Sequence, residues 1–143
     1  MSPPSEKIVD AWIRLMRAPQ AVLAAMEARV KAAELPPLTW YDALWALERA
    51  GPKGLRPADL EREMLLAQYG VSRLLDRLET AGYIERRPVP EDKRGQVIVL
   101  TPAGRATRRR IWPVYARAIQ DTIGARLTDQ ESVELTRLLG KLG

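Results

Sequence analysis

Between positions 68 and 94 the sequence gathers side chains suited to gripping an anion and reading hydrogen-bonding edges. Gln68, Tyr69, Ser72, Arg73 and Arg77 fall in one stretch, and Asp92-Lys93-Arg94 follows shortly after. A Gln amide presents a donor and an acceptor together, the pattern that pairs with adenine; an Arg guanidinium forks onto guanine O6 and N7. Catalysis is poorly provided for. The chain has no His and no Cys, which removes disulfides, thiol redox sensing, Cys/His zinc sites and His or Cys chemistry. The Ser, Lys, Tyr and carboxylates that remain form no recognisable constellation, so the sequence points to no enzyme, no cofactor and no metal.

A helix is needed to put the first group on one face. Across residues 68–81, Val71, Leu74, Leu75 and Leu78 stand at i, i+3, i+4 and i+7, which at about 100° per residue clusters them on one side. The other side carries Tyr69, Ser72, Arg73, Asp76 and Thr80, flanked by Gln68 and Arg77. Gly82 suits the residue that stops such a helix. The second group needs a hairpin. Residues 83–87 and 97–100 read as strands around the tip PEDKRGQ, residues 90–96, with Gly95 expected to serve as a residue tolerant of positive φ.

Around this centre the chain reads as helices. Ile8, Trp12, Leu15, Met16, Val22, Leu23, Met26 and Val30 recur at steps of three or four over residues 5–34, with Pro19 expected to kink or break the run. Thr39 and Asp42 suggest an N-cap and a first-turn acid for a second helix ending near Ala50. A short third helix starts at Pro57. After the hairpin, Thr101-Pro102 opens a long helix to about Leu127, expected to bend at Pro113, and Thr128 with Glu131 forms a capping box for a last helix. The fold class is therefore mostly α with a small β hairpin. It is a winged helix-turn-helix over residues 37–105, with terminal helices over 1–36 and 106–143. The apolar stripes of the terminal helices exceed what the small middle unit can cover. A second copy or an intramolecular bundle would bury them.

The charge is uneven. The net charge is +5; residues 56–110 hold twelve Lys/Arg and eight Asp/Glu, while residues 111–143 hold four of each. That excess suits a polyanion partner or a solvated basic surface. The longest uncharged run is ten residues, 95–104, short of the roughly 20 that span a membrane. The start, MSPPSEKIVD, lacks a basic segment followed by an apolar one, so no signal peptide is expected and the reading is cytoplasmic.

In a helix-turn-helix the second helix enters the major groove by its N-terminal residues. That makes Gln68, Tyr69, Ser72 and Arg73 candidate base contacts and Arg77 a phosphate contact. The hairpin tip would lie along the adjacent minor groove, where Arg is favoured. Asp92 would orient Arg94 by a charge-assisted hydrogen bond. The other reading of the tip is a solvated hairpin with an incidental ion pair.

The stretch VSRLLDRLETAGYIER (71–86), the Asp92-Lys93-Arg94 wing and VIVLTPAGR (97–105) together resemble the multiple-antibiotic-resistance regulator (MarR) family. The resemblance implies a homodimeric winged-helix transcriptional regulator, usually a repressor, on double-stranded DNA with a pseudo-palindromic operator. It implies that Arg94 enters the minor groove with Asp92 in support. It also implies release by a small aromatic or phenolic effector. Trp12, Met16, Trp40, Tyr41 and Trp45 could line the effector pocket, or simply be core and dimer packing. Ala67 stands where the family commonly has a capping Ser or Thr, a loss of about 1 kcal/mol. Gly70 is expected inside the helix, at a further cost of about 1 kcal/mol. A winged helix used for protein–protein assembly, without specific DNA binding, is the alternative.

Overall fold

Apolar spacing and proline punctuation divide the described residues into six α-helices and one hairpin. They are α1 (Glu6–Ala32), α2 (Leu38–Ala50), α3 (Pro57–Glu63), α4 (Val71–Thr80), β1 (Ile84–Val89), β2 (Asp92–Leu100), α5 (Pro102–Ile119) and α6 (Asp129–Leu139). The computed structural model describes residues 1–66, 70–89 and 91–143, except the side chains of Lys93 and Arg94. Two compact units result: residues 34–113, and residues 1–33 with 114–143.

In the unit of residues 34–113 the core is built from Ala43, Leu44, Ala46 and Leu47 of α2, Leu60 of α3, the α4 stripe, and Ile84 and Ile98 of the hairpin. All four apolar residues predicted for α4, Val71, Leu74, Leu75 and Leu78, are buried. The helix begins later than expected. Gly70 is not inside it but is its N-cap, at φ 71°, in the left-handed region that glycine enters without strain. The expected helix-weakening glycine is thus a start signal.

The beginning of α2 also differs. Pro37 is its N-cap, with no side-chain cap, and the Trp40 N–H donates to the Pro37 carbonyl at 2.9 Å. Thr39 lies within the first turn, because the chain is extended only as far as Pro37 and the helix starts at Leu38. Asp42 is not a solvent-facing first-turn acid. It is buried, 7% exposed, and its carboxylate accepts the N–H groups of Leu65 at 2.9 Å and Leu66 at 2.6 Å.

The hairpin pairs antiparallel from Ile84 with Leu100 to Pro88 with Gln96, and then Val89 with Asp92, with a register shift between Pro88 and Val89. Both strands run further toward the tip than predicted. Leu55 adds a bridge to Ile98, with N–O distances of 3.0 and 2.7 Å. Gly82 ends the α4 segment at φ 79°. The Thr101 hydroxyl accepts the Gly104 N–H at 3.1 Å and donates to the Gly82 carbonyl at 2.7 Å, which ties the start of α5 to the end of α4.

In the other unit, α1 runs unbroken through Pro19, capped by the Ser5 hydroxyl on the Ile8 N–H at 3.3 Å. One missing donor removes one bond from a 27-residue helix, and the rest of the ladder carries it through. α5 continues past Pro113 and is regular to Ile119; helical bonding then carries on to about Leu127, the expected end, whose N–H donates to the Ile123 carbonyl at 2.9 Å. A single π turn lies between, over Gln120–Gly124, where a Cβ on Gly124 would meet the Gln120 side chain at 2.5 Å. Asp121 of that turn accepts from Arg29 of α1 at 2.7 Å, with Arg117 beside it at 3.2 Å. The Arg29 hydrogen bond is the main cause that holds this carboxyl below its usual range. The predicted capping box is present: the Glu131 N–H donates to the Thr128 hydroxyl at 3.1 Å, and the Thr128 N–H to the Glu131 carboxylate at 3.0 Å. α6 buries none of its residues, and on α1 only Met26 and Val30 are buried.

Gly104 has no room for a side chain, since a Cβ would stand 2.1 Å from the Tyr83 carbonyl oxygen. Gly104→Ala is expected to destabilise the protein by about 1–3 kcal/mol, the range for steric overpacking. Denaturant unfolding checks this, and an unchanged midpoint contradicts it.

Candidate nucleic-acid interface

Burying one side of α4 fixes what the other side shows. Ser72, Arg73, Asp76, Arg77, Glu79 and Thr80 are all exposed. Arg73 and Arg77, one helical turn apart, project from the same broad face. Their sign is set by a third arginine. Alternation along β1 puts Arg86 on the side that carries buried Ile84, and its guanidinium reaches the Asp76 carboxylate of α4 at 2.5 Å and lies 3.7 Å from that of Glu79. One guanidinium thus serves both acids of the helix, and with Arg73 and Arg77 the five side chains carry a net charge of +1. Among the described residues Arg73 and Arg77 have no ion-pair partner, so the face is left cationic. The same pair locks the hairpin to α4. Sequence reasoning misses Arg86; its two-residue step from Ile84 is the available signal.

Of the predicted contact residues, Ser72, Arg73 and Arg77 share this face. Gln68 and Tyr69, like Ala67, lie outside the described residues, as do the side chains of Lys93 and Arg94. Asp92 stands on the hairpin beside it, with its carboxylate 3.8 Å from Arg56, the N-cap residue of α3. Gly95 does not use a positive φ. It leaves space instead: a Cβ there would meet the Asp92 carboxylate at 3.1 Å and a Val89 methyl at 3.2 Å. A bulged β strand accommodates such folding-over of a side chain without a left-handed residue.

The aromatic residues of α2 have separate partners. Trp40 packs edge-on against Tyr83 at 6.1 Å, and Tyr41 stacks on Trp112 at 5.9 Å. Trp45 lies under the guanidinium groups of Arg108 at 4.7 Å and Arg49 at 5.7 Å, and Arg108 is paired with Glu48 at 2.9 Å. Trp12 and Met16 belong to α1 and are exposed there. Trp12 lines an apolar groove of about 690 Å³ formed with Leu15 and Val22 of α1 and with Leu135, Leu138 and Leu139 of α6.

The comparisons with known proteins agree with this architecture. Residues 35–95 match the family model described as "MarR family". The multiple antibiotic resistance protein MarR of Salmonella typhimurium is 32% identical over 104 residues, covering 73% of this chain and 71% of that protein. Among solved structures, Sco3205 of Streptomyces coelicolor, a MarR family regulator in complex with DNA, superposes with a TM-score of 0.87 over 99% of this chain and 89% of that one at 22% identity. BpsR of Bordetella bronchiseptica, whose DNA binding is regulated by 6-hydroxynicotinic acid, gives 0.79 over 93% and 98% at 26% identity. With an amphipathic helix braced by a two-stranded wing and a relative this similar over most of both chains, the protein belongs to the MarR family of winged-helix transcriptional regulators.

Proposed function

We propose that the protein is a cytoplasmic, homodimeric repressor that binds a pseudo-palindromic operator in double-stranded DNA and is released by a small aromatic or phenolic effector. The observation that carries this reading is the exposed Arg73–Arg77 face of α4, rigidly braced by the hairpin through Arg86. A helix that buries one side and presents uncompensated guanidinium groups on the other fits the major groove. Arg73, near the N-terminus of α4, reads a guanine edge, with Ser72, Gln68 and Tyr69 around it; Arg77 meets a phosphate. Lys93 and Arg94 follow the minor groove from the wing, with Asp92 orienting Arg94. No catalytic step is involved.

The groove between α1 and α6 supports the dimer. Trp12 is 59% exposed and Leu138 44% in a single chain, and contiguous apolar surface of this kind marks an association site. Residues 1–36 and 106–143 would form the interface, and residues 37–105 the DNA-binding lobe. For the effector, the support is the aromatic set Trp12, Met16, Trp40, Tyr41 and Trp45, together with the regulation of DNA binding by 6-hydroxynicotinic acid in the related BpsR.

Selection of duplexes from a random-sequence library tests the reading. A pseudo-palindromic motif with half-sites about one helical turn apart is expected. Failure to enrich any duplex would make the fold a protein-assembly module. On the selected duplex, Arg73→Ala is expected to cost about 1–3 kcal/mol of discrimination at one base position of each half-site; an unaltered selected motif contradicts base reading. Arg94→Ala is expected to weaken binding roughly tenfold or more with the melting temperature nearly unchanged, since a minor-groove arginine touches DNA and not the core. Unchanged affinity removes the wing from the interface. Trp12→Glu with Leu138→Glu is expected to give folded monomers that bind DNA poorly, checked by sedimentation. A variant that still dimerises moves the interface elsewhere.

A further inference from the structure

The start of the DNA-facing helix is fixed from a distance. α4 has no side-chain cap; its first bond runs from the Arg73 N–H to the Gly70 carbonyl at 3.0 Å. Upstream, α3 ends when the Met64 N–H donates to the Leu60 carbonyl at 3.0 Å. The next two amides, Leu65 and Leu66, are taken by the Asp42 carboxylate, one on each oxygen. Gly70 follows Leu66 by only four positions.

Apolar burial holds α4 in the core it shares with α2 but is non-directional, so it constrains the helix's rotation and advance less sharply than directional bonds do. Two charge-assisted hydrogen bonds to one carboxylate are directional and short. They fix the Leu65–Leu66 turn against α2, which supplies four residues to the core, as α4 does. We propose that Asp42 is a positioning residue for DNA recognition: its clamp on the Leu65 and Leu66 amides sets where Ser72 and Arg73 are presented, and so the sequence selectivity of the protein rather than its fold alone. This rests on the DNA-binding function proposed above. Asp42 itself is buried and touches no DNA.

Asp42→Asn keeps the shape of the side chain but replaces one acceptor oxygen with an NH2 donor facing an N–H donor. The test uses the full chain, the duplex best enriched by the wild-type protein from a random library, and a scrambled duplex of equal length. Binding is measured well below the melting temperature and corrected for folded fraction. The expected result is a fall of roughly tenfold or more in affinity for the selected duplex with less than about twofold change for the scrambled one, because base contacts are lost while phosphate contacts persist. Ile111→Val, a change at a fully buried residue of α5 away from the clamp, is the control: it should lower the melting temperature and leave discrimination intact. If Asp42→Asn discriminates as well as wild type, or loses both duplexes in proportion, the positioning role is overturned. Wild-type protein that enriches no duplex overturns the underlying function instead, so the two failures are separable. Where the variant does not fold, amide exchange on the wild-type protein decides. Leu65 and Leu66 amides already slow in the free protein support the clamp. Amides that exchange fast until DNA is added show that DNA sets this turn, and sink the proposal.

Discussion

Burial of the α4 stripe constrains everything around it. Val71, Leu74, Leu75 and Leu78 are each within a few percent of complete burial, and such side chains contribute about 1.5–3 kcal/mol each when removed from water. Turning α4 about its axis to bury Arg73 or Arg77 would expose leucine and bury an unpaired guanidinium, a double penalty. The cationic face is therefore held outward by the apolar one. The ten-residue length of α4 matters here, since a helix this short is marginal on its own and needs that packing to exist.

Electrostatics then refine what burial has oriented. On α4 alone, Asp76 and Glu79 would offset Arg73 and Arg77 and leave the helix near neutral. Arg86 changes that by drawing both acids toward the hairpin. Arg86 is the less exposed member of these pairs, but Asp76 and Glu79 stand in solvent, so the pairs act through position more than through energy. One residue thus fastens the wing to the helix and sets the sign of the helix's outer face. Arg56 and Asp92 make a second, longer link between the wing and the N-cap of α3, and the Leu55–Ile98 bridge a third.

Local patterns are legible in the sequence and distant contacts are not. The α4 stripe, the Gly82 stop, the Thr101 cap and the Thr128 capping box follow from spacing within a few residues, and the structure has all of them. Asp42 misleads because its spacing from Thr39 imitates a first-turn acid, whereas its partners lie 23 and 24 positions away. Gly70 reads as a helix-interior residue because apolar periodicity locates a stripe better than it locates a terminus. Gly95 suggests a conformational role, whereas in the structure it has no positive φ and lies close to the Asp92 carboxylate and a Val89 methyl. Of the kink or break expected at Pro19, the break does not occur, because a long helix tolerates one lost donor. The reach of helical bonding to about Leu127 is legible as well, but the π turn over Gln120–Gly124 is not, because it has no apolar signature of its own. For the candidate site, helical geometry is enough to find Ser72, Arg73 and Arg77, while Arg86 needs the strand register to be known.

The two units solve their burial problems differently, and this bears on the proposed function. In residues 34–113 the apolar residues of α2, α3, α4 and the hairpin close on one another. In α1 and α6 a groove of apolar side chains stays open. Leaving that surface in water would forgo stabilisation of about 25 cal/mol per Å², and an acid–base staple such as Arg29–Asp121, standing in solvent, cannot replace it. If a second copy closes the groove, the free energy of the terminal helices depends on chain concentration, while the core around α4 is complete within one chain. Association would then add little to the folding of the DNA-facing helix and much to its arrangement. Two braced helices would be related by a two-fold axis, and their separation would be fixed by packing rather than by contacts to the bases.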